Sequence, residues 1–448
     1  MQKALLIKVI LIGALFLALL IPVNMIGGIV AERAARQAAV ERDIAADNYG
    51  RQELAGPVLN IPYSEEYEET SNGRTERHSV QHVARLFPAA NDTAGKATVS
   101  TKSRGIFRAR VFAWRGRVRG EFAFDPRNAL ARRHAGSRIV PGKPYASFAL
   151  ADPRGLLGAP VLQWDGKALA LERGSELPNL PGGLHAAVPA FDFDAPQRIA
   201  YELGLGVQGT GSLAIAPIAA SDRVRLTSNW PHPGFGGQFL PQPEAQRVTR
   251  EGFDAEWTTS ALASKVQLQL LAQMDGAKPC ASGLCMDRMD VRFVQPVDVY
   301  SLSDRAIKYG FLFIAITFGY FLLFELLTGV PVHPAQYFLV GLALATFFLL
   351  LIGLSEHIAF GLAYALATAA CVALQGVYLS AALRGRARGT AFSAMLAALY
   401  AALYGLLISE DNALLLGSLL VFGLLAAAML VTRKLDWYAL GAPRPAPA

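Results

Sequence analysis

The last third of the chain contains five apolar runs separated by short polar loops, and this pattern restricts the fold more than any other feature. Each run is close to the roughly 20 residues that an α-helix needs to cross a hydrocarbon layer about 30 Å thick. The runs are Ile307–Leu327, Tyr337–Leu354, Ile358–Leu383, Thr390–Ile408 and Ala413–Thr432. No soluble fold needs such a series, so the sequence predicts a bundle of five transmembrane helices.

A further apolar run lies at the N-terminus, at about Ala4–Val23, and a polar region of ordinary globular composition follows it. The run is long and no clean cleavage site ends it, which favours a retained helix over a signal peptide. The Ala-, Glu- and Arg-rich stretch Ala31–Asp47 should continue that helix. We therefore predict four regions: an N-terminal transmembrane helix (1–30), a β-rich domain (31–304), a five-helix bundle (305–434) and a tail (435–448).

The net charge of +7 is unevenly distributed, because residues 31–304 carry 32 Lys and Arg against 30 Asp and Glu. The excess positive charge therefore flanks the membrane segments, which argues against a nucleic-acid partner. The basic residues fall on one side of a six-span topology: Lys3, Lys8, Arg384, Arg386, Arg388, Arg433 and Lys434. Three acids fall on the other side: Glu356, Glu410 and Asp411.

The positive-inside rule then predicts a multi-pass protein of the bacterial inner membrane, with both termini cytoplasmic and the large domain periplasmic. Arg305 and Lys308 conflict with this orientation, since they lie on the outer side of the second span. A large domain translocates largely regardless of charge, so these two residues do not reverse the prediction. Membrane lipids are accordingly the first expected partners.

The large domain is predicted to consist mainly of antiparallel β-strands, because short runs with period-two alternation are bounded by Gly, Pro, Asp or Asn. The predicted strands are Pro57–Pro62, Phe107–Trp114, Val118–Phe124, Ser147–Ala151, Ile199–Gly206, Ser212–Ile218 and Val224–Ser228. Ser260–Met274 is the expected exception, either a helix or a strand pair. The fold class is thus a membrane protein of α+β type.

An internal similarity suggests two tandem β-units within this domain. Arg108–Asp125 resembles Ile199–Pro217, each with a strand, a turn, a Gly and another strand. Ser147–Pro160 likewise resembles Arg225–Pro241. The alternative interpretation is that antiparallel hairpins share these features whether or not they are repeats.

The segment Asn229–Pro241 is rich in Gly, Pro and aromatic residues and should form a rigid loop rather than regular structure. Its aromatic side chains Trp230, Phe235 and Phe239 could bind a partner or a glycan. They could instead close the end of a β-sandwich. Both interpretations remain open at this stage.

Three ionisable residues in the membrane region are candidate functional groups. Glu325 lies near the inner end of the second span, where a buried charge is costly and often functional, although it could also reach the interface. Glu356 and His357 form an adjacent carboxylate–imidazole pair before the fourth span. They could serve a proton relay, half of a metal site or a membrane enzyme, or they could cap the start of a helix.

The remaining polar features have plainer interpretations. The acids Glu65, Glu66, Glu68 and Glu69 precede a Ser71-Asn72-Gly73 turn signal and are predicted to lie on an exposed hairpin tip rather than in a Ca²⁺ site. The tract Lys96–Arg133 holds 11 basic residues and two acids. It is either a solvated strand face or a surface for anionic head groups.

In the oxidising compartment that the topology predicts, two nearby cysteines favour a disulfide over a free pair or a metal site. Cys280 and Cys285 flank a Gly-containing loop and are predicted to form a disulfide, whereas Cys371 lies in an apolar run and should only pack. No second Cys/His pair has the spacing of a metal site, and no nucleotide-binding or hydrolase motif is present. We therefore expect no cofactor, no metal and no catalytic residues.

Several motifs together resemble the CreD family of bacterial inner-membrane proteins. They are Gly56–Leu59 with Ile61–Tyr63, the Asn229–Pro241 loop, Arg292–Tyr300 running into Asp304–Tyr309, Gln336–Ala343, Leu354–Ile358 and Leu414–Ser418. The resemblance covers nearly the whole chain. It implies a protein of cell-envelope integrity and envelope stress tolerance that has no established reaction. From the large folded domain we further expect a non-enzymatic role in which the periplasmic domain contacts an envelope component.

Two alternatives follow from the membrane architecture itself. A transporter or a handler of lipid or cell-wall precursors would need polar residues and broken helices near mid-bilayer, but the runs are mostly Leu, Ala and Phe. A membrane enzyme that uses Glu356 and His357 would need further catalytic partners. The sequence does not indicate the oligomeric state.

Overall fold

The computed structural model describes residues 2–47, 49–71, 74–189, 191–275, 284–295, 298–328, 331–382, 385–409 and 412–433. The chain forms two compact units, which are treated separately below. The helical unit comprises Met1–Ala38 and Val297–Ala448, and the β unit comprises Ala39–Pro296.

The helices of the chain follow the predicted apolar runs closely. They are α1 (Gln2–Asp47), α2 (Pro126–Ala129), α3 (Val266–Met274), α4 (Val299–Lys308), α5 (Gly310–Thr328), α6 (Pro334–Ser355), α7 (Phe360–Ala382), α8 (Arg386–Ile408) and α9 (Ala413–Thr432). The prediction that the first helix continues to Asp47 is confirmed, and Ser260–Met274 contains the helix α3.

In the described residues, five helical segments are long and apolar enough to cross a membrane. They are Ile7–Asp47, Val299–Glu325, Pro334–Ser355, Phe360–Ala382 and Arg386–Ile408. The sixth predicted span corresponds to α9, whose described apolar stretch, Leu415–Ala427, is shorter. The predicted membrane protein of α+β class, with an N-terminal apolar helix and a C-terminal helical bundle, is confirmed.

Small residues allow the helices of the bundle to approach closely. A Cβ atom at Gly376 of α7 would lie 2.3 Å from the Ser393 hydroxyl of α8, and one at Gly341 of α6 would overlap the side chain of Leu19 in α1. Such contacts are the usual basis of helix association in a membrane, where burial of apolar surface gives no advantage.

The β unit contains 17 strands in its described residues. They are β1 (Gln52–Ser71), β2 (Arg74–Leu86), β3 (Ala90–Arg104), β4 (Phe107–Phe124), β5 (Arg138–Pro141), β6 (Tyr145–Leu150), β7 (Val161–Trp164), β8 (Lys167–Leu169), β9 (Glu172–Arg173), β10 (Gly183–Ala187), β11 (Gln197–Thr210), β12 (Ser212–Ile215), β13 (Ser221–Ser228), β14 (Pro233–Gly237), β15 (Gln246–Thr249), β16 (Gly252–Ser260) and β17 (Met289–Phe293).

These strands form two mixed sheets that share one core. The first sheet has the order β14-β17-β12-β1-β6-β10-β9, with β2 and β5 also paired to β1. The second has the order β15-β16-β13-β3-β4-β11-β7-β8. The shared core includes Trp114, Phe122 and Trp257, and a second apolar cluster lies around Val266 and Leu270 of α3.

Most strand pairs are antiparallel, as predicted, but each sheet has one parallel pair at its centre. β1 is parallel to β12, and β3 is parallel to β13. Parallel neighbours need a long crossover connection. Here the chain between them passes through strands of both sheets, so the crossover needs no long helix.

The interpretation as two tandem β-units is wrong. Arg108–Asp125 belongs to the single continuous strand β4, whereas Ile199–Pro217 is divided between β11 in one sheet and β12 in the other. Moreover, β11 pairs with β4 over the whole length of β11, so the two strands do not occupy separate units. Antiparallel partners share alternation and glycine content, which accounts for their similar sequences.

Candidate functional site

A carboxylate is completely buried in the outer part of β1, where the sequence analysis predicts an exposed hairpin tip. The side chain of Glu65 is 0% exposed. Its Oε1 atom accepts hydrogen bonds from the backbone N–H groups of Arg133 and His134, both at 2.8 Å, and from the Ser137 hydroxyl at 2.6 Å. The hairpin itself is confirmed by the antiparallel pairing of β1 with β2, but the prediction that Glu65 is exposed is wrong.

These hydrogen bonds favour the ionised carboxylate. The Ser137 hydroxyl has the largest effect, and together with the backbone donors it outweighs burial and lowers the pKa of Glu65 to about 2. A hydrogen bond to a negatively charged acceptor is stronger than one between neutral groups. Glu65 is therefore a permanent negative charge inside the β unit at neutral pH.

The second oxygen of the same carboxylate faces two imidazole rings. Glu65 Oε2 lies 3.4 Å from Nε2 of His82 and 3.3 Å from Nδ1 of His134. All three atoms are buried and none has a hydrogen-bond partner. Two ring nitrogens thus lie within contact distance of one carboxylate oxygen.

Aromatic rings close this cluster. Tyr67 stacks on His134, with ring centroids 3.7 Å apart, and also on His78, at 5.3 Å. Tyr63 lies against His82 at 5.2 Å. The strand register explains the arrangement, because Tyr63 is paired with His82 and Tyr67 with His78 across the hairpin.

We name Glu65, His78, His82 and His134, with their two tyrosines, the Glu65 cluster. Three of the seven histidines of the chain belong to it. In the sequence, His78 and His82 lie opposite the acidic segment of a predicted hairpin, and that was the available signal. His134 lies outside this hairpin, so its approach could not be predicted from turn spacing.

A second buried acid of the β unit differs in its surroundings. Asp222 of β13 is 2% exposed, and its Oδ2 atom accepts a hydrogen bond from the backbone N–H of Ala219 at 2.7 Å. Burial raises the pKa of the Asp222 carboxyl to about 7, because this donor and the side chain of Asn91 only partly offset it.

The aromatic loop Asn229–Pro241 is partly regular, contrary to the prediction, because β14 pairs with β17 inside it. Trp230, Phe235 and Phe239 are partly buried and pack against the shared core. Phe235 contacts the rings of Phe253 and Trp257, with centroids 5.5 and 5.7 Å apart. This packing favours the interpretation that the loop closes the sandwich, while a binding role for the three aromatic residues stays a prediction.

The two side chains of the predicted pair Glu356–His357 have different surroundings: one makes polar contacts and the other is exposed. Glu356 accepts a hydrogen bond from the Tyr300 hydroxyl at 3.1 Å and lies 3.6 Å from Arg33 Nε. His357 is exposed. The interpretation as a helix start is wrong, because Glu356 is the C-cap of α6 and α7 begins at Phe360.

Glu325 has a charged partner within the helical unit. Lys8 Nζ donates to Glu325 Oε1 at 2.5 Å and to the backbone carbonyl of Val332 at 2.8 Å. The sequence analysis places Lys8 and Glu325 at the same inner side of the membrane, so it contained the signal for this ion pair without identifying it. The pair joins α1 to α5.

The structure describes two of the three cysteines of the chain. Cys280 lies outside the described residues, so its disulfide with Cys285 stays a prediction, and Cys371 is a buried free cysteine in α7.

The basic tract Lys96–Arg133 forms a strand face on which Arg117 and Arg119 pair with Glu202. Such pairing is typical of a solvated surface. Among the residues with described placement, no group of three His, Cys, Asp or Glu side chains is arranged to hold a metal ion.

Comparison with known proteins identifies the family. The family model "Inner membrane protein CreD" matches residues 4–438. The chain belongs to the CreD family. It is also 35% identical over 434 residues to the inner membrane protein CreD of Escherichia coli (strain K12), which covers 97% of this chain and 94% of that relative. The predicted resemblance is thus confirmed, and with the apolar helices it supports a multi-pass protein of the inner membrane.

Proposed function

We propose that this CreD-family protein maintains the integrity of the cell envelope without catalysing a reaction, and that its β unit acts in the periplasm on an envelope component. The observation that carries the proposal is the position of the β unit in the chain. A large two-sheet domain with its own core is inserted between the first apolar helix and the others. A chain built in this way holds a folded domain at the membrane surface.

The charges of the short loops support the periplasmic side. Lys3 and Lys8 precede or begin the first span, and Arg386 and Arg388 lie in the first turn of α8, the fifth span. Such basic residues are retained in the cytoplasm. An odd number of spans separates these sites from the β unit, which supports a β unit on the opposite side of the membrane.

Two single cysteines would test this orientation. Lys167→Cys lies at the exposed start of β8, next to the turn after β7, and Arg386→Cys lies at the exposed start of α8. Both would be made in a background in which Cys280, Cys285 and Cys371 are replaced by alanine. In cells with a permeabilised outer membrane, an impermeant maleimide should label the first cysteine and should label the second only after lysis. The reverse pattern would refute a periplasmic β unit.

The envelope role needs a separate test in cells. A strain that lacks the protein should admit a dye that the intact envelope excludes, and the wild-type gene should restore exclusion. Trp114→Asp, which places a charge in the core of the β unit, should fail to restore it although the membrane helices are unchanged. Full restoration by this variant, with the β unit shown to be unfolded, would exclude an essential role for the unit.

One observation favours the alternative of a transporter. Gln375 of α7 is 2% exposed, and neither atom of its side-chain amide has a hydrogen-bond partner. The hydroxyls of Thr368 and Tyr400 are likewise buried and without a partner. Polar groups inside a membrane bundle often mark a path for a polar molecule. Flux of a polar molecule into proteoliposomes that is lost in Gln375→Leu would support this alternative.

A further inference from the structure

The two most exposed large apolar side chains in the described part of the β unit lie on one short segment. Leu262, in the turn after β16, is 100% exposed, and Leu268, in α3, is 71% exposed. The side chains of Ala263 and Ala272 on the same segment are also exposed. We name these four side chains the α3 surface. A single exposed leucine is ordinary, but an apolar surface of this kind often marks a contact with a partner or a membrane.

The turn that carries Leu262 is held by hydrogen bonds. The backbone N–H of Ala261 donates to the carbonyl of Ala220 at 3.0 Å. At the start of α3, the backbone N–H of Val266 donates to the hydroxyl of Ser264 at 3.1 Å. The exposure of Leu262 therefore belongs to an ordered part of the fold.

The other side of α3 is already used by the β unit. Val266 and Leu270 are buried in the second apolar cluster. The side-chain amide of Gln267 donates to the carbonyl of Ile218 at 2.8 Å, and that of Gln269 also donates within the β unit. Because these polar groups bond inward, the side of α3 that is left exposed is apolar.

We infer that the α3 surface contacts the lipid bilayer, with Leu262 and Leu268 among the acyl chains and Lys265 at the head groups. The chain enters the β unit from the apolar helix α1 and leaves it into α4 and the span α5. The β unit is therefore tethered to the membrane at both ends. Tethering gives the bilayer a high effective concentration at the α3 surface, so even a small apolar surface can stay in contact with it.

The charge of the segment suits an anionic lipid surface. Residues 257–274 contain no Asp or Glu, and Lys265 is their one charged residue. The Lys265 side chain is exposed. A lysine can keep its methylene groups against apolar surface while its ammonium group reaches lipid phosphates. A carboxylate at the same place would be repelled by anionic head groups.

A protein partner fits the α3 surface less well. Protein interfaces draw most of their binding energy from Trp, Tyr and Arg, and leucine is under-represented among those residues. Residues 258–274 contain no aromatic residue and no Arg. Aliphatic side chains beside a lysine are instead typical of segments that lie in the membrane interface.

Photocrosslinking to lipid would test the contact in the full-length wild-type protein. The protein would be reconstituted into liposomes of phosphatidylethanolamine and phosphatidylglycerol that contain a phospholipid with a diazirine near the glycerol end of one acyl chain. After irradiation and digestion with trypsin, the peptides of residues 251–265 and 266–288 should carry lipid, because they contain Leu262 and Leu268.

The peptide of residues 226–247 is the internal reference, because it contains Leu240, which is 67% exposed. The two α3 peptides should be modified about tenfold more than this reference, which is the factor expected for moving one leucine out of water.

Two double variants would show whether the leucines make the contact. Leu262→Asp/Leu268→Asp should lower the modification of both α3 peptides about tenfold, because a carboxylate is not accepted among acyl chains. Leu240→Asp/Val248→Asp is the matched control, since it replaces two other exposed apolar residues of the β unit. The control should keep the wild-type modification of the α3 peptides. If the first variant does not fold, Leu262→Ser/Leu268→Ser should show the same direction of change.

Either of two results would overturn the inference. One is modification of the α3 peptides that does not exceed that of the reference peptide, which would leave the α3 surface to a protein partner or a second copy. The other is unchanged modification in the folded aspartate or serine variant. Lipid is present on both sides of the membrane, so this test is independent of the orientation and of the envelope role proposed above.

Discussion

Two acidic side chains in each unit of the molecule are stabilised in different ways. In the helical unit, Lys8 pairs with Glu325 and Arg33 lies beside Glu356, so each acid faces a cationic side chain from another helix. In the β unit, Glu65 and Asp222 instead receive backbone N–H groups from neighbouring turns.

The backbone explains this difference. Inside an α-helix nearly every N–H group is used by the carbonyl four residues earlier, so a buried carboxylate in a bundle can be neutralised only by side chains. A connection between strands has N–H groups without ladder partners, and these can point at a carboxylate. Irregular segments of the β unit therefore supply backbone hydrogen-bond donors to a buried carboxylate, which the helices cannot do.

The same comparison shows why two buried acids of one unit differ so strongly. Glu65 receives two backbone donors and a hydroxyl, and its pKa falls to about 2. Asp222 receives fewer donors, so burial dominates and its pKa rises to about 7. Hydrogen bonding is thus the larger effect at Glu65, and burial is the larger effect at Asp222.

The largest expected effect concerns the ion pair of the helical unit. Lys8→Met or Glu325→Leu alone should destabilise this unit by about 3 kcal/mol, because each leaves an uncompensated charge. The double variant should cost clearly less than the two single costs together. Thermal unfolding of the four proteins in detergent would measure the coupling.

Lys308→Met is the control for that cycle, because Lys308 pairs with Asp304 at the surface of the same unit. Its cost should be below about 0.5 kcal/mol. Additive costs for Lys8 and Glu325 would show that the helical unit does not depend on paired side chains, and the comparison between the units would fail.

The next effect concerns Asp222. Because its pKa is raised in the folded state, the unfolded chain binds fewer protons than the folded one between about pH 4 and 7, and stability falls as the pH rises through that range. The wild type should lose about 2 kcal/mol between pH 5 and pH 7 at this site. Asp222→Asn, which keeps the acceptor for Ala219, should remove that loss.

Chemical denaturation of the β unit, followed by its tryptophan fluorescence in the full-length protein, would measure the pH dependence. Asp254→Asn serves as the control, since Asp254 is an exposed acid of the neighbouring strand β16. An identical slope in wild type and Asp222→Asn would mean that this acid is not buried as the structure describes.

A smaller effect separates the adjacent residues Glu356 and His357. Tyr300→Phe removes the hydrogen bond to Glu356 and should cost about 1 kcal/mol. His357→Ala should cost almost nothing, because its side chain is exposed. Unfolding in detergent would rank the stabilities of the two variants. A greater loss of stability in His357→Ala would support the prediction that Glu356 and His357 act as a pair.

The smallest effect belongs to the surface of the β unit. Glu202 pairs with Arg117 and Arg119 on an exposed strand face, and Glu202→Ala should cost less than about 1 kcal/mol. Salt should reduce even this cost, since exposed charges are screened. A loss of unfolding free energy that persists in 1 M salt would indicate that these ion pairs are buried.

Some errors of the sequence analysis have a clear physical origin. Two separate strands are predicted on either side of Gly116, yet β4 runs through this position without a break. A Cβ atom at Gly116 would lie 2.3 Å from the ring of Trp114, and the paired Gly95 leaves room for the same ring. These glycines serve close packing, which local sequence cannot distinguish from a turn.

The candidate sites show the same limit. The sequence analysis recognised Glu325 as an unusual residue, but not Lys8 as its partner, which lies 317 positions away. It assigned Glu65 to a group of exposed acids, because the alternation of a strand predicts which residues share a face but not what covers that face. Both partners depend on contacts made only in the folded chain.

The sequence by itself determined which segments prefer hydrocarbon, that the large domain is β-rich, and which family the chain resembles. These properties depend on composition and short-range periodicity, and hydrophobic transfer acts on each segment without reference to the others. Only the tertiary structure decided that β1 lies beside β12 and that Glu65 meets His134, 69 positions away. Pairing between distant residues depends on strand register and packing, which the whole chain fixes together.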